Sequence, residues 1–485
     1  MNEIDLTNVR GITCDSRKVK DGYVFVAIKG VGHDGHDYIA DAIKNGASYI
    51  VQNPDLKQRL NDQIISSSNQ QDKHTNNLDT YDYVQFIESG NTRRDLAVLA
   101  AAFYKNQPNT MIAVTGTNGK TSVADFVRQI FIHSGENVAS IGTLGVQSNV
   151  CSIDGVMTTP DAVTLQSLLA DLVNSGVTHG VMEASSHGLH QSRLDGVRLK
   201  IAAFTNLTQD HLDYHETMEQ YFDAKMRLFK NLLPAEGIAI VNTDDPYGQR
   251  IQHDNVLTYG SHDDANMRLL SQKPTTIGQD ICVAFNGRKY DVHLPFIGLF
   301  QAYNILCAVA CCVATGLDAR LVFDVLPKLK GVSGRMEFAA KSRNGATAYI
   351  DYAHTPDALK NALTSLRPHV KGRLVCVFGA GGDRDKMKRP LMGQIVSEGA
   401  DIAIITDDNP RTENADDIRN QIFSACSKAE NIAGRANAIA YAASLLNADD
   451  VLLVAGKGHE QGQTIGTTTH PFDDLTETKK VMEAL

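Results

Sequence analysis

The chain has 485 residues, with 46 Lys and Arg against 56 Asp and Glu, for a formal net charge of −10 at pH 7. That length suggests about two to four domains, and a hydrophobic share of 42% lets each bury a core, which excludes wholesale disorder. The acidic balance excludes a protein that works mainly by gripping nucleic acid phosphates, although a few local cations can still hold an anionic small ligand.

The opening Met1-Asn-Glu-Ile-Asp-Leu-Thr has no basic stretch followed by an apolar run, so no secretory signal is expected. A first block, residues 1–88, reads as a strand over Tyr23 to Ile28, a helix over Tyr38 to Asn45 and a strand over Ser48 to Gln52. Residues 53–82 turn polar, the composition of a surface insertion or long loop.

A second block, residues 89–333, opens with the apolar strand Met111-Ile-Ala-Val-Thr. Asp161 to Asn174 has the apolar spacing of one helix face, Val177 to Glu183 and Leu199 to Thr205 read as strands, Glu216 to Leu232 as a helix and Gly237 to Val241 as a strand. Ile297 to Val313 is the most apolar stretch, too short to span a bilayer, so no membrane insertion is expected. A third block, residues 334–485, places strands at Ala346 to Asp351, Leu374 to Gly379, Asp401 to Thr406 and Val451 to Ala455, each ending in a polar or glycine-rich turn. Alternation of this kind predicts an α/β fold built on mainly parallel sheets, with ligands beyond the carboxyl ends of the strands. The eight cysteines form no C-x-x-C pair, as expected of reduced thiols in a cytosol.

Chemistry concentrates first at Gly116-Thr117-Asn118-Gly119-Lys120-Thr121-Ser122, between an apolar strand and the helical Val123 to Ile132. In that context the backbone N–H groups and the helix N-terminus can cradle phosphate. Lys120 would reach the β- and γ-phosphates and the Thr121 hydroxyl would face Mg2+. The strict G-x-x-x-x-G-K-[ST] form is not met, since Val114 stands where its first glycine would be. The loop alone leaves a GTPase switch, a motor ATPase, a kinase and a ligase open. Glu183 ends the next apolar strand and reads either as a Mg2+ carboxylate or as a solvated loop residue.

From Thr115-Gly-Thr-Asn-Gly-Lys-Thr-Ser onward the chain resembles the Mur ligases, the ATP-dependent enzymes that build the peptidoglycan stem peptide. The resemblance continues through Glu183-Ala-Ser-Ser-His-Gly-Leu, Asn206-Leu-Thr-Gln-Asp-His-Leu-Asp-Tyr-His, Tyr221-Phe-Asp-Ala-Lys, Asn304, Gly334-Arg-Met-Glu, Asp351-Tyr-Ala-His-Thr-Pro and Gly379-Ala-Gly-Gly-Asp-Arg-Asp. Cys14-Asp-Ser-Arg, Thr158-Thr-Pro-Asp, Ser185 to Arg193, Asp408-Asn-Pro-Arg and Gly456-Lys-Gly-His-Glu resemble the branch that extends UDP-MurNAc-L-Ala-D-Glu by one amino acid. Gln301, Met157 and Cys14 depart from the residues usual at those places.

The resemblance implies three domains: a small N-terminal α/β domain for the UDP end, a central P-loop-type parallel-sheet ATPase domain, and a C-terminal Rossmann-like α/β domain for the nucleoside and the incoming amino acid. It implies ATP contacts from residues 116–122, Asn304, Arg335 and Asp351, with His354 nearby. It implies Mg2+ ligation by Thr121, Glu183, His211 and Lys225, the last carrying a carbamate derived from CO2. For the UDP-MurNAc-dipeptide it implies Ser16, Thr158, Thr159, Ser185, Gln191 and Arg193, while His187 and His215 read as structural.

Asp408, Asn409, Pro410 and Arg411 follow a strand and, with Arg389, Gly456 and Glu460, would form the amino-acid pocket. Meso-diaminopimelate carries a distal carboxylate that lysine lacks, and the Arg411 fork suits it. The expected reaction runs from ATP through an acyl phosphate to an amide, catalysed by Lys120, Lys225 and His211, on small molecules in the cytoplasm, by a monomer and without nucleic acid. An L-lysine-adding ligase, a folylpolyglutamate-synthase-like ligase and a nucleotide-gated switch or motor are the alternatives.

Overall fold

The computed structural model describes residues 4–30, 32–54, 84–153, 158–275 and 278–485. The polar stretch from residue 55 on, and Met157, lie outside the described residues.

Strands β1 (Gly11–Thr13), β2 (Tyr23–Val26), β3 (Ala47–Gln52) and β4 (Gln85–Glu88) form a parallel sheet in that order. Successive strand side chains point to opposite faces, and the core divides accordingly. Val24 and Val26 pack with Ile12 and Val51 on one face, whereas Phe25 and Ala27 pack with Ile39, Ala42 and Ile43 of the helix Ile39–Lys44 on the other. The helix Thr92–Tyr104 follows the expected boundary at residue 88 yet packs Leu96, Ala97 and Leu99 against this first sheet. Ala162 and Val163 of the next block join the same cluster, so the first two units are docked through apolar contacts.

The central sheet comprises β5 (Thr110–Thr115), β6 (Val138–Gly142), β7 (Gly145–Ser148), β8 (Ser152–Ile153), β9 (His179–Glu183), β10 (Ile201–Phe204), β11 (Ile238–Asn242), β12 (Val256–Gly260), β13 (Met267–Thr275), β14 (Gly278–Phe285) and β15 (Arg288–Leu294). Its order is β15-β14-β13-β12-β11-β10-β5-β9-β6-β7-β8. The run from β13 to β6 is parallel, with antiparallel strands added at each end, β14 and β15 beyond β13 and β7 and β8 beyond β6. β5 is buried throughout: Ile112 and Val114 face the helices Lys120–His133 and Leu299–Ala314, and Met111 and Ala113 face Ala162–Asn174 and Met218–Arg227. Burial on both faces is why this strand reads as an unbroken apolar run. The β13–β15 meander was not anticipated from sequence. The expected helix over Glu216 to Leu232 is Met218–Arg227 followed by a π-helical turn, Leu228–Leu232.

The third unit holds β16 (Glu337–Lys341), β17 (Thr347–Asp351), β18 (Leu374–Phe378), β19 (Ile402–Ile405), β20 (Glu430–Asn431) and β21 (Val451–Ala455), in the order β16-β17-β21-β18-β19-β20. All pairs are parallel except β16 with β17. A separate hairpin, β22 (Gly462–Ile465) with β23 (Thr468–Pro471), reaches the turn after β19 through a bridge between Arg411 and Ile465.

Strand order, not sequence order, positions the site. The carboxyl ends of β5, β6, β9 and β10 lie side by side in the central sheet, and those of β17, β21, β18 and β19 lie side by side in the third unit. Residues far apart in the chain thus meet at two strand edges, which face each other across one cavity.

Candidate active site

The phosphate loop turns out of β5 on two glycines with positive φ, 148° at Gly116 and 87° at Gly119. A Cβ at Gly116 would collide with Thr205 Oγ1, and one at Gly119 with Asn304 Oδ1. Both the backbone conformation and the space demand glycine here. Lys120 Nζ donates to the carbonyls of Gly116 (2.9 Å) and Thr117 (2.7 Å), and burial pushes its pKa down. The Asn118 N–H donates to Asn206 Oδ1 at 2.9 Å, and its side-chain amide reaches Asp357 Oδ2 at 3.1 Å. Asp357 opens the helix Pro356–Leu366, so the loop of the central unit touches the third unit directly.

Beside the loop, Glu183 ends β9 with only 1% of its surface exposed. Its carboxylate accepts from the Thr121 hydroxyl (3.0 Å), the Thr143 N–H (2.7 Å) and the Thr143 hydroxyl (3.2 Å). Arg335 Nη2 donates to Thr121 Oγ1 at 3.2 Å, and its guanidinium lies 4.3 Å from the centroid of the Tyr352 ring. Glu183 is therefore not a solvated strand-end residue. Its oxygens and the two threonine hydroxyls are the hard donors that suit Mg2+. Among the described residues no cluster of three or more His, Cys, Asp or Glu could hold a metal by itself.

Lys225, on the helix Met218–Arg227, is buried and donates to the Gly116 carbonyl at 2.8 Å, over the Tyr221 ring. Burial, then the nearby Lys120, holds its pKa well below 10.5. His211 adopts φ 55° beyond β10. Burial lowers its imidazole to about 3 against the pull of Asp210. Burial also works against the charge on Asp210, but His211, His354 and Lys388 hold that carboxylate below its ordinary range. Lys388 and His354 come from the third unit, 3.9 and 4.0 Å from Asp210 oxygens.

A cavity of about 320 Å³ lies between the two strand edges, lined by Asn118, Gly119, Thr121, Ser122, Asn304, Arg335 and Asp351 among others. These are the residues expected to surround ATP. The Asp351 carboxylate also accepts from the backbone N–H groups of Met336 (2.6 Å) and Ala353 (2.8 Å), and burial raises its pKa. It therefore caps the connection between units as well as lining the cavity.

The central-unit residues expected at the UDP-sugar form one hydrogen-bonded chain. Thr159 Oγ1 donates to Glu183 O (2.8 Å) and bonds Ser185 Oγ (3.0 Å). Arg193 Nη1 donates to Thr159 O (2.6 Å), and its Nη2 donates to Gln191 Oε1 (2.8 Å). Gln191 Nε2 donates to Tyr214 OH (3.2 Å), which also bonds His190 Nδ1 (2.9 Å). Thr158 reaches Thr143 Oγ1 at 3.2 Å, tying this chain to the Glu183 side. Ser16 stands apart in the first unit, buried, with its carbonyl accepting from Asn45.

At the third-unit edge, Asn409 is central. Its Nδ2 donates to Glu460 Oε2 (2.9 Å), and its Oδ1 accepts from Lys457 Nζ (2.9 Å) and Thr464 N–H (2.9 Å). Asp408 is buried, with Oδ2 unpartnered. Burial opposes its charge, yet Arg435 and Lys457 keep its pKa low. Gly456, at φ 123°, leaves no room for a Cβ beside Asp408 Oδ2. Arg411, also at positive φ (51°), is half-buried, with Nη1 on the Gly382 carbonyl at 2.7 Å. Arg389 differs: fully buried, it donates to both Glu413 oxygens, to Gln421 and to the Gly381 carbonyl. Only its Nε lacks a partner. It braces the glycine-rich turn, and a substrate carboxylate would have to displace Glu413 to reach its fork.

Sequence reading assigned no role to Thr143, Lys457, Glu413, Asp210 or Tyr214. Asp210, Tyr214 and Lys457 lie inside quoted motifs, but Thr143 carries no local signal beyond its place after β6.

Residues 8–104 match the Mur ligase family catalytic domain, 114–312 the Mur ligase middle domain and 334–458 the Mur ligase glutamate ligase domain. A Rhizobium meliloti protein named UDP-N-acetylmuramoyl-L-alanyl-D-glutamate–2,6-diaminopimelate ligase is 45% identical, over 98% of this chain and 95% of that one. A Caulobacter vibrioides protein of the same name is 44% identical over 98% and 96%. A solved structure of an enzyme so named superposes with a TM-score of 0.66 at 32% identity, covering 98% of this chain and 95% of that one. With all three domains matched in order and relatives of this similarity covering nearly its whole length, the chain belongs to the Mur ligase family.

Proposed function

We propose that this protein is an ATP-dependent carboxylate–amine ligase that joins meso-2,6-diaminopimelate to the D-Glu γ-carboxylate of UDP-MurNAc-L-Ala-D-Glu, a cytoplasmic step of peptidoglycan precursor synthesis carried out by a monomer. The observation that carries the reading is that relatives more than 40% identical over nearly the full length are named for that reaction. The half-buried Arg411 beside the turn after β19 supports it, because a planar guanidinium suits the distal carboxylate that lysine lacks.

In this reading the substrate γ-carboxylate attacks the γ-phosphorus of ATP, ADP leaves, and the amino group of diaminopimelate attacks the acyl phosphate to release phosphate and form the amide. Lys120 offsets negative charge at the phosphates, and Arg335 reaches over them from the third unit. Thr121, Glu183, His211 and Lys225 would hold Mg2+, Lys225 as a carbamate. When bound, Mg2+ neutralises charge on the phosphate oxygens. Gln191 and Arg193 orient the UDP-sugar substrate, and Asn409, Arg411 and Glu460 the diaminopimelate. Packing of the third unit over the phosphate loop keeps water from the acyl phosphate.

The test is phosphate release by the purified protein with ATP, UDP-MurNAc-L-Ala-D-Glu and either meso-diaminopimelate or L-lysine. Release should require both co-substrates and favour diaminopimelate. Release without an acceptor sinks the ligase reading, and equal turnover with lysine sinks the pocket assignment.

A further inference from the structure

Lys457 is a cation at the amino-acid pocket that no binding role accounts for. It is fully buried, and its Nζ donates to Asn409 Oδ1 at 2.9 Å and to Glu460 Oε2 at 3.0 Å. A buried lysine is costly and persists where a counter-charge and hydrogen bonds meet it. Both of its partners are residues assigned to the incoming amino acid. Asn409 Nδ2 also donates to Glu460 Oε2, so the three side chains close a ring of hydrogen bonds that sets the orientation of the amide and the carboxylate.

The charges around this ring balance. Arg411 and Lys457 are positive, Asp408 and Glu460 negative, and the sum is zero. Around it, Arg435 pairs with Asp474, Arg389 and Lys386 share Glu413, and Asp383 faces Arg411, so these groups taken together leave that sum unchanged. The distal end of meso-diaminopimelate carries one ammonium and one carboxylate and is neutral overall, whereas the side chain of lysine ends in an ammonium alone. We infer that Lys457 is a specificity-determining positioning residue: its buried charge brings the pocket to neutrality and fixes Asn409 and Glu460, so that a zwitterionic side-chain terminus is favoured over a singly cationic one. Without Lys457 the pocket would carry a net negative charge, which attracts the lysine ammonium and repels the diaminopimelate carboxylate. The inference rests on the ligase reading above.

The experiment compares wild type, Lys457→Met and Lys457→Arg as full-length enzymes, measuring kcat and KM for meso-diaminopimelate, L-lysine, ATP and the UDP-dipeptide. In Lys457→Met the ratio of kcat/KM for diaminopimelate to that for lysine is expected to fall about tenfold or more, mainly through KM, with KM for ATP little changed. Lys457→Arg should recover much of the ratio. An unchanged ratio, or equal losses with both amino acids, overturns the inference. The double variant Lys457→Met/Glu460→Gln removes one charge of each sign and guards against unfolding by an unpaired carboxylate. It should still discriminate against lysine more strongly than Lys457→Met, and a double variant that accepts lysine as readily overturns the charge balance. A wild type with no diaminopimelate-dependent phosphate release instead defeats the ligase reading, so the two failures are distinguishable.

Discussion

Lys225 Nζ lies 2.8 Å from the carbonyl oxygen of Gly116, the first glycine of the phosphate loop. A helix lysine 109 residues away in sequence thus supports the backbone from which the loop departs. Its burial and the neighbouring Lys120 favour the uncharged amine, the form that can react with CO2.

Activity should therefore depend on dissolved CO2. Phosphate release in CO2-depleted buffer is expected to fall and to recover on adding bicarbonate. Lys225→Arg, which keeps the positive charge but cannot be carbamylated, should lose about a hundredfold or more in kcat. Full activity in the Arg variant would exclude a role for the carbamate.

Gly119→Ala places a methyl group against Asn304 Oδ1 on a backbone at φ 87°. The strain should cost about 1–3 kcal/mol, and the displaced amide should raise KM for ATP while KM for the amino acid stays near wild type. A variant with wild-type ATP affinity would show that the Gly119–Asn304 contact is not part of the nucleotide site.

Arg411→Ala removes the guanidinium offered to the distal carboxylate. Charge-assisted hydrogen bonds of about 1.5–3 kcal/mol predict a rise of roughly tenfold to a hundredfold in KM for diaminopimelate, with KM for ATP unchanged. Steady-state kinetics varying each substrate in turn decides this, and an unaltered diaminopimelate KM contradicts the clamp.

Tyr214→Phe deletes the hydroxyl shared by His190 and Gln191. Gln191 would then be free to turn, and its Oε1 would no longer be held toward Arg193. A net loss of about 0.5–1.5 kcal/mol predicts a roughly two- to tenfold higher KM for the UDP-dipeptide, with kcat nearly intact. A fall in kcat alone would place Tyr214 at the chemistry rather than behind the substrate.

Acid should destabilise the fold in a definable window. Burial, then neighbouring charges, lowers His215 and His459 to about 4 from 6.5. Once the chain unfolds these rings regain their ordinary value, so between those limits the unfolded state binds more protons and stability falls as pH falls. Thermal melts across the window should show Tm declining toward acid, and His215→Asn, compared with wild type, isolates one ring's share. An identical slope in that variant would show that His215 does not contribute.

How much could be read beforehand differs residue by residue. Gly116 to Ser122 was legible because the strand, the turn and the helix that make a phosphate cradle are contiguous. Glu183 was legible as a strand-end carboxylate, but not as the partner of Thr143, which lies 40 residues earlier. Arg389 and Arg411 look alike in sequence, yet one is fully buried against Glu413 and the other keeps part of its fork free. Asp351, expected among the ATP contacts, also caps two backbone N–H groups at the connection between units.

The amino-acid order by itself determined the main parallel strands, the phosphate loop and their chemical types, because apolar periodicity, turn residues and the glycine loop act over a few neighbours. Only the tertiary structure decided which of those types meet. The order β10-β5-β9-β6 sets Asn206, the phosphate loop, Glu183 and Thr143 along one carboxyl edge, and β17-β21-β18-β19 does the same for Asp351, Lys457, Gly381 and Arg411. Pairing across a sheet joins segments without regard to their separation in the chain. Burial then determines whether an arginine or lysine becomes a brace, as Arg389 and Lys457 do, or stays available to a ligand, as Arg411 does.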